Sequence, residues 1–185
     1  MSETITLSQI YDNYSQAVAA VKDLEVSGVA PSRISVIARN GVDEMTSTSS
    51  GAAIGAVAGG GAGLLTGLGA LAIPGIGPVV AAGWLAATAL GAAAGATAGG
   101  LVGALIDSGI SDDDAHFYAE SVRRGGTLVT VRCDASGHDK ISAIMQARNP
   151  VNVAARQRLY RDEGWTSFDD HASSGYPIDR EPPRV

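Results

Sequence analysis

The stretch GAAIGAVAGGGAGLLTG, residues 51–67, has a glycine at every fourth position. A second ladder with the same spacing follows in residues 83–103. The two ladders consist of Gly51, Gly55, Gly59, Gly63 and Gly67, then Gly83, Ala87, Gly91, Gly95, Gly99 and Gly103. Residues four apart lie on nearly the same face of a helix, where missing side chains let two backbones approach closely. Because glycine costs an isolated helix about 1 kcal/mol relative to alanine, the ladders predict helix packing as the compensating contact.

The ladders lie in a long uncharged run. No charged residue occurs between Met45 and Ile106, although charged residues make up 17% of the chain. The segment AIPGIGP, residues 72–78, predicts a helix stop and a turn, because proline fixes φ and glycine permits positive φ. The turn residues are Pro74, Gly75, Gly77 and Pro78. The two arms, 51–73 and 79–106, would be antiparallel helices of roughly 34 Å or more, enough for a hydrocarbon core of about 30 Å.

A membrane location competes with a soluble one for this hairpin. Alanine and glycine contribute little to membrane insertion, which Leu, Ile, Val and Phe mainly drive. The hairpin could therefore pair with copies of itself in a soluble cytoplasmic oligomer. We expect the membrane form, because the arm lengths, the missing charge and the ladders agree, and we expect a homo-oligomer in either case.

The flanks of the hairpin, 1–44 and 111–155, read as two halves of one α/β domain. Residues 4–11 alternate apolar and polar and predict a strand, and residues 34–38 predict another. Between them, Ala17, Ala20, Val21 and Leu24 form the apolar face of a helix. Since such crossovers are right-handed, the two strands are expected to run parallel.

The second half repeats this alternation of helix and strand. Ser111 and the acidic residues 112–114 predict a helix start, because negative charge complements the helix dipole there. Val129, Val131 and Cys133 alternate with polar residues in a third strand, and a helix and a short fourth strand at 151–154 follow. The fold class expected is α+β: a small ferredoxin-like sandwich, split by an inserted Ala/Gly-rich helical hairpin spanning 45–110.

The last segment, 156–185, loses periodicity and gains turn-forming residues, which predicts a disordered tail. Two aromatic residues in it, Trp165 and Phe168, either pack back on the domain or form a docking motif for a protein partner. Packing or simple exposure is the simpler interpretation of the two.

The residues that carry chemistry form no catalytic pattern, so we expect neither an enzyme nor a cofactor. The three contiguous aspartates at 112–114 point in different directions on a helix, which favours a cap over a metal site. The histidines His116, His138 and His171 lack metal-ligand spacing. The glycine-rich stretches follow no strand and precede no Gly-Lys-Ser/Thr, which argues against a nucleotide site.

The net charge and the amino-terminal sequence restrict the expected binding partners and the cellular location. The net charge is −6 and the cations are dispersed, so nucleic acid binding is not expected. The amino terminus has no basic region and no apolar core, so it is not a secretory signal. We therefore expect the soluble parts to lie in the cytoplasm. The single Cys133 agrees with a reducing compartment.

Three stretches carry a family resemblance: residues 10–39 (IYDNYSQAVAAVKDLEVSGVAPSRISVIAR), 72–83 (AIPGIGPVVAAG) and 99–132 (GGLVGALIDSGISDDDAHFYAESVRRGGTLVTVR). Together they resemble the bacterial general stress protein family with a heat-induced stress protein domain, in which a small α/β unit carries a glycine-zipper hairpin. The phrase RDEGWTSFD, residues 161–169, is similar to a phrase in the tails of other stress-associated bacterial proteins. The resemblance implies a stress-induced protein without enzymatic activity that is associated with the bacterial inner (cytoplasmic) membrane.

Three functions from different classes follow from these expectations. The first is a stress-related scaffold that is anchored by the hairpin and self-associates through the ladders. The second is a membrane-active assembly that forms a pore, which the missing row of polar lumen residues disfavours. The third is an α/β unit that binds a small ligand or regulates a partner. We expect the first.

Overall fold

The computed structural model describes residues 4–39, 69–73, 75–88 and 100–169, and these form an α+β architecture. The strands are β1 (Thr4–Tyr11), β2 (Ile34–Ala38), β3 (Gly69–Ile73), β4 (Gly77–Gly83) and β5 (Thr127–Asp134). The helices are α1 (Tyr14–Val26), α2 (Gly100–Asp107), α3 (Asp112–Arg123), α4 (His138–Gln146) and α5 (Val153–Asp162). Residues 84–88 are also helical. Short 3₁₀ turns precede β2 at Pro31–Arg33 and follow β5 at Ala135–Gly137.

The five strands form one sheet in the order β1-β5-β2-β4-β3. Each neighbouring pair is antiparallel. Because β1 and β2 are both antiparallel to β5, they run parallel to each other with β5 between them. The predicted parallel relation of the first two strands is therefore confirmed, and the gap between them holds the strand from the second half of the chain.

Helices α1 and α4 cover one face of the sheet. The apolar residues predicted for α1, namely Ala17, Ala20, Val21 and Leu24, are all buried there. Val129, Val131 and Cys133 of β5 point to this face, as their spacing of two requires. Ile141 and Met145 of α4 complete this cluster. Burial of these side chains is the main stabilisation of this layer.

The other face is covered by α2, α3 and α5, which gives three layers. Leu101 and Leu105 of α2 and Phe117 of α3 pack with Leu128 of β5 and Tyr160 of α5. Helix α3 begins where the sequence predicts, because the Ser111 hydroxyl accepts a hydrogen bond from the Asp114 N–H at 3.3 Å. The second face of the sheet is thus buried as deeply as the first.

The predicted helical hairpin is wrong at residues 69–73 and 79–83, whereas residues 84–88 and α2, which also lie in the predicted second arm, are helical. Residues 69–73 and 77–83 form the β-hairpin β3–β4. The turn itself is where it was predicted: Gly75 and Gly77 have positive φ, and the Ile76 N–H bonds the Ile73 carbonyl at 3.1 Å. Such a Pro-Gly turn joins two strands as readily as two helices, and β4 satisfies its backbone groups by pairing with β2.

The carboxyl-terminal half of the domain also differs from the prediction. Residues 153–162, expected to continue a short strand into a disordered tail, form α5. The Asn152 side chain caps this helix by accepting from the Ala155 N–H at 2.9 Å. Next to it, the Val151 N–H bonds the Ile10 carbonyl of β1 at 2.7 Å. That single bond to β1 is the part of the predicted fourth strand that exists.

Candidate functional site

The ladder residues that the structure describes do not share one helix face. Gly83 ends β4 with φ +89°, and a Cβ there would lie 2.2 Å from the Ile34 carbonyl oxygen. Ala87 is exposed in the helical segment 84–88, and Gly103 lies in α2. The prediction that Gly83 packs one helix against another is therefore wrong, because close contact between two strands explains it. Gly51, Gly55, Gly59, Gly63, Gly67, Gly91, Gly95, Gly99 and Pro74 lie outside the described residues.

The two aromatic residues of the predicted docking motif pack on the domain. Phe168 is 9% exposed and belongs to the cluster under α3, and Trp165 packs against the same cluster. The Phe168 N–H donates to His116 Nδ1 at 3.2 Å. We call residues 163–169 the strap, because they follow α5 and lie across α3.

The strap starts with a glycine helix stop. The Gly164 N–H bonds the Arg161 carbonyl and the Trp165 N–H bonds the Tyr160 carbonyl, both at 2.9 Å. Gly164 has φ +91°, and the Trp165 and Tyr160 rings meet edge to face with centroids 6.1 Å apart. These are the bonds and the apolar contact of a Schellman motif. The stop turns the chain back onto the domain.

A buried carboxylate fastens the strap to α3. Glu120 is fully buried and pairs with Arg123 and Arg124, each at 2.5 Å. Arg124 also pairs with Glu163 of the strap, and its guanidinium lies 3.9 Å from the Tyr160 ring centroid. The Arg123 guanidinium lies 5.4 Å from the Phe168 ring centroid. Because both arginines are paired with carboxylates, we assign this cluster a structural role, the attachment of the strap to α3.

The other residues weighed as chemical candidates have structural surroundings. Cys133 is buried at the end of β5, and desolvation raises the pKa of its thiol. Asp112 lies 3.8 Å from His116 on the same helix. Within the described ranges, no three His, Cys, Asp or Glu side chains are grouped to hold a metal ion. These positions therefore offer packing and capping contacts.

A polar groove of about 500 Å³ opens at the end of the sheet where β1 begins and β5 ends. It is lined by Thr4, Thr6, Ser32, Arg33, Asp107, Ser108 and Arg132. The Thr6 hydroxyl donates to the Ser108 carbonyl at 2.7 Å, which ties β1 to the end of α2. Hydroxyl, guanidinium and carboxylate groups thus make up the lining of the groove.

The two arginines of the groove differ in their partners. Arg33 pairs with Asp134 at 3.3 Å, and both side chains are about half exposed. The Arg132 guanidinium stacks on the Trp84 ring, 3.5 Å from its centroid. Among the described residues, no carboxylate lies within salt-bridge distance of Arg132. Arg132 is therefore a cation of the groove that stacks on an aromatic ring and forms no ion pair among the described residues.

A row of hydroxyl groups lies one step inward from the groove. Ser8 and Thr130 are paired in register across β1 and β5, and Thr130 pairs with Ser35 of β2. Ser35 donates to the Ala82 carbonyl at 2.7 Å. The Ser8 and Thr130 hydroxyls are buried and have no hydrogen-bond partner among the described residues. By the two-residue alternation of strands, they share a face with Thr6 and Arg132.

Tyr118 closes this row from the side of α3. Its hydroxyl donates to the Ser8 carbonyl at 3.3 Å. Desolvation, with a smaller contribution from Asp114, raises the pKa of Tyr118 to about 12. Tyr118 is therefore a neutral donor at physiological pH.

The sequence does not predict the groove. Polar residues alternate with apolar ones in β1 and β5, and this alternation alone does not say that α2 and α3 cover the polar side. The register between β1 and β5, which places Thr6 opposite Arg132 and Ser8 opposite Thr130, cannot be read from the sequence. The strap had a clearer signal, because glycine followed by an apolar residue after a helical pattern is typical of a helix stop.

Across the described residues, none of the helices combines the length and the apolar character needed to cross a membrane. No protein-family model, no curated protein and no solved structure matches this chain.

Proposed function

We propose that this protein is a non-enzymatic structural protein of the bacterial stress response that self-associates through its glycine ladders. We further propose that it is anchored at the inner membrane, with the three-layer sandwich in the cytoplasm. A ferredoxin-like arrangement of the sandwich belongs to the same proposal, and the position of β5 between the parallel β1 and β2 supports it. The link to stress comes from the sequence resemblance.

The distribution of the glycines carries the proposal. Gly75, Gly77 and Gly83 have positive φ, so the turn and the end of β4 account for them. The first ladder, residues 51–67, has the fixed spacing of four that suits helix contacts, and it contains no charge. In the sequence it lies between β2 and β3, which belong to the same sheet. We infer that copies of the chain associate through this uncharged, small-residue segment.

Self-association is tested by adding bulk to the first ladder. Gly59→Leu inserts a side chain at a ladder position, and Ala58→Leu adds a similar side chain next to it. Light scattering of the purified, detergent-extracted full chain should give a smaller assembly for Gly59→Leu and the native mass for Ala58→Leu. A native mass for Gly59→Leu would count against the ladder as the contact surface.

A second function, binding of a small ligand by the sandwich, is favoured by one observation. The groove at Arg132 has a stacked cation without a carboxylate partner among the described residues. Binding there is compatible with self-association through the ladders, since the groove is lined by β1, β5 and the residues next to β2 and α2.

A further inference from the structure

The Arg132 guanidinium is held in one plane before any ligand arrives. Its Cζ lies 3.5 Å from the centroid of the Trp84 ring. A stacked guanidinium keeps its edge donors directed outward, and its planar fork matches the two oxygens of a carboxylate or a phosphate. Because the indole fixes the side chain, little rotamer entropy remains to be lost on binding.

The Arg132 guanidinium is available to pair with an anion. The charge of Arg33 is offset by Asp134 at 3.3 Å. Asp107 also lines the groove and is exposed, and it forms no ion pair with Arg132 among the described residues. An anionic group that reaches the guanidinium therefore meets a cation whose described contact is the Trp84 ring.

We propose that the groove binds a small organic anion with a carboxylate or phosphate group and additional hydroxyls. The anionic group binds the Arg132 fork, and the ligand hydroxyls face Thr4, Ser32 and the Asp107 carboxylate. The volume of about 500 Å³ lies within the range of small-molecule sites. This inference does not depend on self-association or on the membrane.

The indole N–H resonances of the full chain test the site directly, because the protein has only two tryptophans. Titration with inorganic phosphate, and separately with gluconate, should shift the Trp84 resonance saturably and leave the Trp165 resonance in place. A Trp165→Phe variant assigns the two signals. The two probes distinguish a phosphate ligand from a hydroxylated carboxylate. Sodium chloride at equal ionic strength should shift neither resonance.

Variants distinguish binding by the planar guanidinium of Arg132 from a general effect of positive charge. Arg132→Gln should weaken binding at least tenfold, and Arg132→Lys should weaken it less, because lysine keeps the charge without the fork. Arg158→Gln, which removes an exposed cation of α5, should leave affinity within twofold of the native value. If Arg132→Gln does not fold, the affinities of Arg132→Lys and Arg158→Lys are compared instead. Arg132→Lys should bind the probe more weakly than Arg158→Lys.

The hydroxyl row has its own variant. Thr130→Val keeps the shape and removes a buried hydroxyl that has no partner among the described residues, so it should raise the melting temperature. Because Thr130 does not line the groove, affinity for whichever probe binds should stay within twofold of the native value. Absence of a saturable Trp84 shift with both probes would overturn the proposal. Equal affinity of native protein and Arg132→Gln would do the same.

Discussion

Gly83 packs its backbone against the carbonyl group of Ile34, so closely that a Cβ on Gly83 would lie 2.2 Å from that oxygen. The same glycine has φ +89°, a conformation that costs other residues about 1–2 kcal/mol. Both facts arise because β4 pairs antiparallel with β2 and ends opposite Ser35. A glycine in the second ladder is therefore required by the sheet.

Gly83→Ala should lower the free energy of unfolding by at least about 2 kcal/mol, because strain and overlap add. Gly137→Ala is the matched control, since a Cβ there would make ordinary contacts of 3.7 Å with Ile141 and 3.9 Å with Cys133. Urea unfolding followed by circular dichroism measures both. Equal stability of the two variants would contradict the strand contact.

The sequence predicts most elements of the α/β domain. Gly83 shows why the prediction is wrong for β4, which lies in the segment predicted as a helical hairpin. β1, α1, β2 and β5 have clear periods, and the bounds of β1 and β2 in the structure agree with the prediction. A four-residue glycine spacing predicts a helix equally at 51–67 and at 83–103, yet only spatial neighbours decide whether a glycine serves a helix or a strand. At Gly83 the neighbour is β2, which is distant in sequence.

The groove could not be predicted from the sequence, because it also depends on contacts between residues that are distant in the chain. Arg132 and Trp84 are far apart in the chain, and they meet because β4 and β5 both flank β2. The sequence contains each residue but not the register that places the ring under the guanidinium.

Glu120 should be the most sensitive charged residue of the domain. It is fully buried between Arg123 and Arg124, so Glu120→Gln leaves two cations with a neutral partner. Breaking a buried pair in this way costs about 3–5 kcal/mol. Glu163→Gln removes a partly exposed partner of the same Arg124 and should cost less than about 1 kcal/mol. Chemical denaturation of the two variants gives the comparison, and similar losses would argue against the buried cluster.

Phe168 should control whether the strap stays on α3. Phe168→Ala removes a buried ring and its contact with Arg123, and we expect a loss of about 2 kcal/mol or more. Amide hydrogen exchange should become faster at residue 168, whose N–H bonds His116, and at Trp165. Ser167→Ala, at an exposed position, should leave both exchange rates unchanged. Native exchange rates in Phe168→Ala would show that the ring does not hold the strap.

Stability should fall at alkaline pH through Tyr118. Its pKa is raised from 10.0 to about 12 in the folded state, so the folded protein holds this proton more tightly than the unfolded chain. The corresponding stability, at most about 3 kcal/mol, is complete below pH 10 and is lost as the pH rises toward 12.

Tyr118→Phe tests this linkage. The unfolding free energy of the variant should fall less steeply between pH 10 and 12 than that of the native protein. Tyr11 and Tyr160 also have raised pKa values through burial, so a shallower decline should persist. Identical pH slopes for native protein and variant would contradict the assignment.

The anchoring of the chain at a membrane is the central claim of the proposed function, and carbonate extraction of bacterial membranes tests it most directly. The full chain should stay in the pellet at alkaline pH, whereas a variant with Ile54→Asp and Leu64→Asp, which places charge in the uncharged run, should move to the supernatant. Native protein that is released by carbonate as readily as this variant would contradict the claim.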